Sequence, residues 1–204
     1  NGIVKHIPLG LDLTNLPTER PNRPQTPLRF GFIGGSQSSK GLLDILDSAV
    51  NLKKEGLQFQ IKVWGNHQTE CEKEIKARNL EDCVFLGGTY QSHQLWEVYN
   101  EMDVALMATL VSEPFGRVPI EAAAVGAITI APAIGGITES IRNEIDGLTY
   151  NFRNQKDLEK QMRRILTEDR LYEKLQSNLQ PVINTKDAVK DVEKFYYEIL
   201  ATKS

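Results

Sequence analysis

Apolar positions along the chain follow two alternating rhythms. Residues 28–33, Leu-Arg-Phe-Gly-Phe-Ile, make a short apolar run of the kind carried by a strand buried on both faces. Behind it Leu42, Ile45, Leu46, Ala49 and Leu52 recur at helical spacing and predict a helix over 41–52. The cycle repeats as strand 59–64, helix 69–79, strand 83–86, helix 92–101, strand 103–107, helix 117–125, strand 127–131 and a short strand at 147–150. Short apolar strands alternating with helices of about ten residues predict βαβ units, and therefore an α/β, doubly wound parallel sheet with helices on both faces. Beyond residue 155 the pattern turns wholly helical, with extra C-terminal helices expected over 156–167, 170–179 and 188–200 and Pro181 separating the last two. The final one gathers Val189, Val192, Phe195, Tyr196, Ile199 and Leu200 on one side, a face that must pack on something.

Residues 13–27 hold Pro17, Pro21, Pro24 and Pro27, so this stretch is an extended loop rather than a helix or central strand. On this pattern the chain divides into a segment with a Pro-rich loop at 1–27, an α/β domain at 28–180 and a terminal helix at 181–204 whose apolar side calls for a partner. A chain of 204 residues is ample for one core. The net charge of -3 lacks the basic stripe that nucleic acid requires. No run approaches the roughly 18 apolar residues of a membrane span, and residues 1–12 do not read as a signal peptide. Two isolated cysteines, Cys71 and Cys83, suit a reducing compartment, which places the protein in the cytoplasm; their spacing alone does not exclude a disulfide.

In a doubly wound sheet, ligands bind beyond the carboxyl ends of the strands, so chemistry is sought in the strand-to-helix loops. The first loop, 34–41, reads Gly-Gly-Ser-Gln-Ser-Ser-Lys-Gly. Adjacent glycines let backbone approach a ligand, the next helix offers unpaired amides, and Lys40 adds a charge suited to a diphosphate. The plainer reading is a polar turn with Ser39 capping the helix. The order Lys-Gly is not that of a P-loop, and no G-x-G-x-x-G occurs.

The second loop, 112–121, reads Ser-Glu-Pro-Phe-Gly-Arg-Val-Pro-Ile-Glu and leads into an alanine run ending at Gly126. Pro119 is tolerated only in a first helical turn, which puts the helix start near Gly116 and leaves amides at Gly116, Arg117 and Val118 for a ligand. Glu113 then stands before the helix and Glu121 early within it. Carboxylates on either side of a cluster of amides suit a ligand with phosphates in its middle and hydroxyls at both ends, which is the layout of a nucleotide sugar. Either glutamate alone reads equally as a helix-dipole partner or a surface charge.

Glu113 and Glu121 make an E-x7-E pattern, and 113–126 resembles the signature of retaining glycosyltransferases of the GT-B fold, family 4. Further pieces fall in the family's order: Ile7-Pro8-Leu9-Gly10-Leu11-Asp12, Phe32-Ile33-Gly34-Gly35 with Lys40-Gly41, Val63-Trp64-Gly65, Val84-Phe85-Leu86-Gly87, Gly135-Gly136 with Glu139, and Asp146-Gly147-Leu148. The resemblance implies a Rossmann-like donor-binding half of a two-domain enzyme that transfers a hexose from a nucleotide sugar. It assigns Glu121 to the ribose hydroxyls and Glu113, as the catalytic carboxylate, to the hexose near its anomeric carbon. Phe115 and Gly116 would line that pocket. Gly34, Gly35, Lys40 and the amides of Arg117 and Val118 would hold the diphosphate, and Gly88 or Thr89 would flank the base. The family's arginine after the first glycine is Gly35 here, leaving Lys40 and the Arg117 side chain to compensate.

No cofactor is implied, the nucleotide sugar being a substrate. Nor is a metal: there is no D-x-D, and His6, His67 and His93 are scattered. The acceptor, a sugar, a lipid or another molecule, is expected to enter through a half that precedes residue 1, which is also where peripheral membrane contact would lie. The isolated domain is expected to catalyse little. Two rivals keep the architecture: an epimerase or phosphorylase, the latter requiring a pyridoxal-anchoring lysine, and a non-catalytic nucleotide-sugar-binding module, which Gly35 favours.

Overall fold

A computed structural model describes residues 4, 5, 7, 10–17, 24 and 26–201. Six strands form one parallel sheet: β1 (Leu28–Ile33), β2 (Phe59–Trp64), β3 (Val84–Gly88), β4 (Val104–Leu106), β5 (Ile128–Pro132) and β6 (Gly147–Tyr150). Their order across the sheet is β3-β2-β1-β4-β5-β6. It reverses between β1 and β4, whose parallel register pairs Phe30 with Val104 and Phe32 with Leu106. The expected doubly wound parallel sheet is therefore what the chain forms.

Helices cover both faces because each strand alternates its side chains between them. On one face Phe30, Phe32, Ile61, Val63, Leu106 and Ile130 pack under α1 (Leu42–Lys54), α2 (Gln68–Ala77), α6 (Gln155–Thr167) and α7 (Leu171–Ser177). On the other, Trp64 and Ala105 pack under α3 (Leu95–Asn100) and α4 (Arg117–Ala124). Small residues Ala122, Ala124 and Ala127 let α4 lie close to the sheet. Cys71 and Cys83 are buried free thiols.

Several elements differ from their expected form. The segment 92–101 divides into a 3-10 turn at 92–94 and the shorter α3, and residues 38–40 form a second 3-10 turn. Ser39 does not cap α1. Gly41 occupies that position at φ 74° with no side-chain cap, because the chain after β4 presses against it: a β-carbon there would lie 2.0 Å from the Ala108 carbonyl oxygen. The Ser39 carbonyl instead accepts the Leu110 amide at 2.8 Å. A four-residue helix, α5 (Ile137–Ser140), follows β5 and has no periodic signature in the sequence.

The last helix, α8 (Thr185–Ala201), buries none of its residues; Val189, Tyr196, Tyr197 and Leu200 are exposed. Its start is tied to the N-terminal segment, the Leu11 amide donating to Ile183 O and the Thr185 amide to Leu11 O, each at 2.9 Å. Within the expected 1–27 segment, Pro8, Leu9 and Pro21 lie outside the described residues, as does His6. No helix among the described residues is long and apolar enough to cross a membrane.

At the end of the sheet opposite the expected site, Asp103 is fully buried and takes a forked salt bridge from Arg29, Nη2 to Oδ1 at 2.9 Å and Nε to Oδ2 at 3.1 Å. The Arg29 amide adds a third bond to Oδ2 at 3.0 Å. Removing one partner strands a buried charge. Asp103→Ala is expected to lower the unfolding free energy by about 3–5 kcal/mol, measured by urea denaturation; a loss under about 1 kcal/mol would show that the pair does not hold β1 to β4.

Candidate functional site

The loops after β1 and β4 face each other across the reversal in strand order. In the first, the amides of Gly34 and Gly35 both donate to Trp64 O at 2.9 Å. Both are thus committed to the sheet, and what the glycines offer a ligand is space. Gly35 sits at φ 57°, and a β-carbon on it would lie 1.9 Å from Asn66 O. The residue is glycine because the β2–α2 loop packs directly on it, so an arginine has no room at this position. Lys40 closes the 3-10 turn, and its Nζ donates to Glu113 Oε1 at 2.6 Å.

The second loop turns into α4 at Gly116, whose φ of 60° needs no side-chain cap. Arg117 and Val118 open the helix, so their amides have no intrahelical acceptor, and Pro119 falls in the same turn, where a missing N–H costs nothing. The loop rests on the Gly135–Gly136 turn and α5. The Gly136 amide donates to Glu113 O at 3.0 Å, and a β-carbon on Gly136 would lie 1.9 Å from Pro114 O. Ser140 Oγ donates to Phe115 O at 3.3 Å. The Phe115 ring is exposed.

Glu121, 6% exposed, is held from two sides. Oε2 accepts the Tyr99 hydroxyl at 2.7 Å, and Oε1 pairs with Arg117 Nη2 at 2.7 Å. Burial, with the Glu121 carboxylate adding to it, pushes the Tyr99 phenol well above its usual range. The same two causes, in the same order, raise the half-buried Tyr90. Each glutamate of the E-x7-E pattern therefore carries its own cation, Lys40 for Glu113 and Arg117 for Glu121. An anionic ligand entering here finds cations already in place, with amides at the positive end of α4 between them.

Gly88 and Thr89 leave the end of β3. Gly88 stands at φ 79° with open space where a side chain would be, and Thr89 is exposed. Their loop is joined to the one after β2 by Gln68, whose Nε2 donates to Gly65 O at 2.6 Å while its Oε1 accepts the Gly88 amide at 3.2 Å. The next residue, Tyr90, feels the charge of Glu121. His67 is exposed at the start of α2, and Trp64 and Trp96 are buried in the core. A cavity of about 280 Å³ lies beside α4, lined by Phe115, Pro119, Glu139, Arg142 and Pro181. Another of about 510 Å³ lies between the first loop and α2. Neither is lined by Lys40, Glu113 or Glu121.

Tyr90, Tyr99 and Gln68 escape the sequence reading, since each acts through a loop or helix distant along the chain. The one local hint was Tyr99 itself, a polar-tipped residue in an apolar helical stretch.

With this geometry in view, comparison with known proteins is decisive. The family model of glycosyl transferases group 1 matches residues 18–180. The chain belongs to that family. It is 25% identical over 146 residues to the Escherichia coli K12 putative colanic acid biosynthesis glycosyltransferase WcaL, covering 68% of this chain and 36% of the relative. It is 26% identical over 190 residues to Agrobacterium fabrum mannosylfructose-phosphate synthase, covering 84% of this chain and 42% of that protein. Thermosynechococcus elongatus sucrose-phosphate synthase superposes with a TM-score of 0.78 at 22% identity, over 96% of this chain and 52% of the other. The C-terminal domain of LpcC, a glycosyl transferase group 1 protein from Francisella tularensis, matches 89% of this chain and 97% of its own at a TM-score of 0.69 and 20% identity. The chain thus spans less than half the length of the two curated relatives and about half of the synthase structure.

This chain should not gain from the arginine that the resemblance expects at position 35. Gly35→Arg is expected to cost about 2 kcal/mol or more, from left-handed backbone and collision with Asn66. Thermal unfolding checks it: a variant as stable as the native chain that binds nucleotide more tightly would show that the position is an empty arginine site.

Proposed function

We propose that this chain is the donor-binding half of a retaining glycosyltransferase that moves a hexosyl group from a nucleoside-diphosphate sugar to an acceptor. The observation that carries the reading is the pairing of both glutamates with cations around the start of α4, in a chain of the group 1 family. Anabaena HepE, whose structure was solved with UDP-glucose, shares the fold at a TM-score of 0.77.

In this reading Glu121 takes the ribose hydroxyls and the amides of Arg117 and Val118 face the diphosphate. Gly34 and Gly35 give it clearance, and Lys40 leaves Glu113 to meet its charge. Glu113, released, takes hexose hydroxyls beside Phe115 and Gly116, while Gly88 and Thr89 flank the base. The bond from the anomeric carbon to the β-phosphate oxygen breaks, a bond to an acceptor oxygen forms on the same face, and the acceptor's hydroxyl proton passes to the departing phosphate. Negative charge grows on the leaving diphosphate, where fixed donors lower the barrier most. No metal or organic cofactor takes part.

Residues 28–180 form the donor domain. The apolar side of α8 rests on an acceptor-binding half, which also supplies any membrane contact; alone, the donor domain turns over little. The buried free thiols fit a reducing, cytoplasmic setting. Packing on Asn66 gives Gly35 a structural reason, and donor binding without transfer by the complete enzyme is the outcome that would favour a non-catalytic module.

Calorimetric titration with UDP, GDP and ADP tests the site. One nucleotide is expected to bind saturably, and Glu121→Ala to weaken it about tenfold or more, the loss of a charged hydrogen bond. Indifference to that substitution would remove Glu121 from the site. Glu113→Gln should release Lys40 and tighten nucleoside-diphosphate binding while transfer by the complete enzyme falls. Weaker diphosphate binding in that variant would instead give Glu113 a purely structural part.

A further inference from the structure

Glu121 lies in α4, but the group that aims it comes from α3. Tyr99 is fully buried among Trp96, Met102, Ala122 and Val125, where a phenylalanine would serve the apolar packing equally well. A hydroxyl in such surroundings is costly unless it is bonded. Its bond is to Glu121 Oε2, at 2.7 Å. The other oxygen, Oε1, faces Arg117, whose side chain is 64% exposed, so Oε1 is the oxygen on the solvent side.

The two partners differ in how firmly they hold. Tyr99 is confined by the core and donates its hydroxyl to Oε2, and burial pushes its phenol well above the usual range. Arg117 is a surface side chain in an ion pair open to water, and such pairs are readily exchanged. A carboxylate oxygen accepts more than one hydrogen bond, so Oε1 can receive a ligand hydroxyl while Oε2 stays fixed.

We infer that Tyr99 is a positioning residue for sugar recognition on the nucleotide: it pins Glu121 Oε2 inside the domain so that Oε1 meets the ribose hydroxyls, with Arg117 the movable partner that yields to them. The inference rests on the proposed binding of ribose by Glu121, and deepens it by naming what sets the carboxylate's direction. Without the phenol, Glu121 would still be present but free to turn among rotamers, and the ribose hydroxyls would lose a fixed acceptor.

The test compares UDP, GDP or ADP, whichever binds tightest, with its 2′,3′-dideoxy form on native chain, Tyr99→Phe, Glu121→Ala and the double variant. Native chain is expected to prefer the ribonucleotide by about tenfold or more, and Tyr99→Phe to reduce that preference below about threefold while leaving dideoxy binding nearly unchanged. In the Glu121→Ala background, Tyr99→Phe should remove nothing further, because the two act as one unit. Full retention of the preference in Tyr99→Phe overturns the role, and so does an equal fall for both ligands, which would mark general damage to the fold. Absence of any ribose preference in native chain overturns the ribose reading itself, a result distinct from either. A measurement on native protein stands beside these should Tyr99→Phe fold poorly. The Tyr99 hydroxyl proton, followed by NMR, should shift on adding the ribonucleotide and not the dideoxy form; a signal unmoved by both would count against the role.

Discussion

Strand β1 lies against β4 although seventy-four positions separate Arg29 from Asp103, and everything at the site follows from that pairing. The forked Arg29–Asp103 bridge fixes one end of the two strands, and the Lys40–Glu113 bridge spans the other, where their loops diverge. The two ion pairs differ in physical character. Asp103 is fully buried and bonded three times, so parting it from Arg29 would leave a charge in the core. Lys40 and Glu113 are both partly exposed, so water or a polar ligand can take either one's place at moderate cost. One end of the pairing is thereby a fastening and the other an opening.

Close backbone contact is the second constraint on that opening. Four loops converge beyond the sheet, and at Gly35 and Gly136 they approach to distances that admit no side chain. The Gly35 contact leaves no room for the arginine that the resemblance expects, and so for one cation. What remains is a set of charges already paired among themselves: Lys40 with Glu113, Arg117 with Glu121. Such pairing balances two positive charges with two negative ones around the start of α4.

Legibility in the sequence tracked the distance over which each feature is written. The six strands and most helices carry their signal within ten or so residues, and the reading located each strand to within two residues. Residues 38–40 and 137–140 were missed because three or four residues hold no period to detect. Whether Ser39 caps the helix stays open in the sequence because what decides it, the Ala108 carbonyl pressing on Gly41, comes from another strand's loop. The two glutamates were legible since a single loop and helix start carry both, with Pro119 marking the boundary. Tyr99 and Gln68 were not, for each exerts its effect on a residue of a different element.

The sequence by itself determined the α/β alternation, the parallel sheet and the start of α4 with a glutamate on either side, because periodicity, proline and spacing are local properties of a chain. Tertiary structure alone decided which cation each glutamate meets, that Gly35 leaves no room for arginine, and that a buried tyrosine bonds Glu121. Those depend on distances between loops that only the reversal of strand order at β1 and β4 brings together, and no local pattern encodes a distance across a sheet.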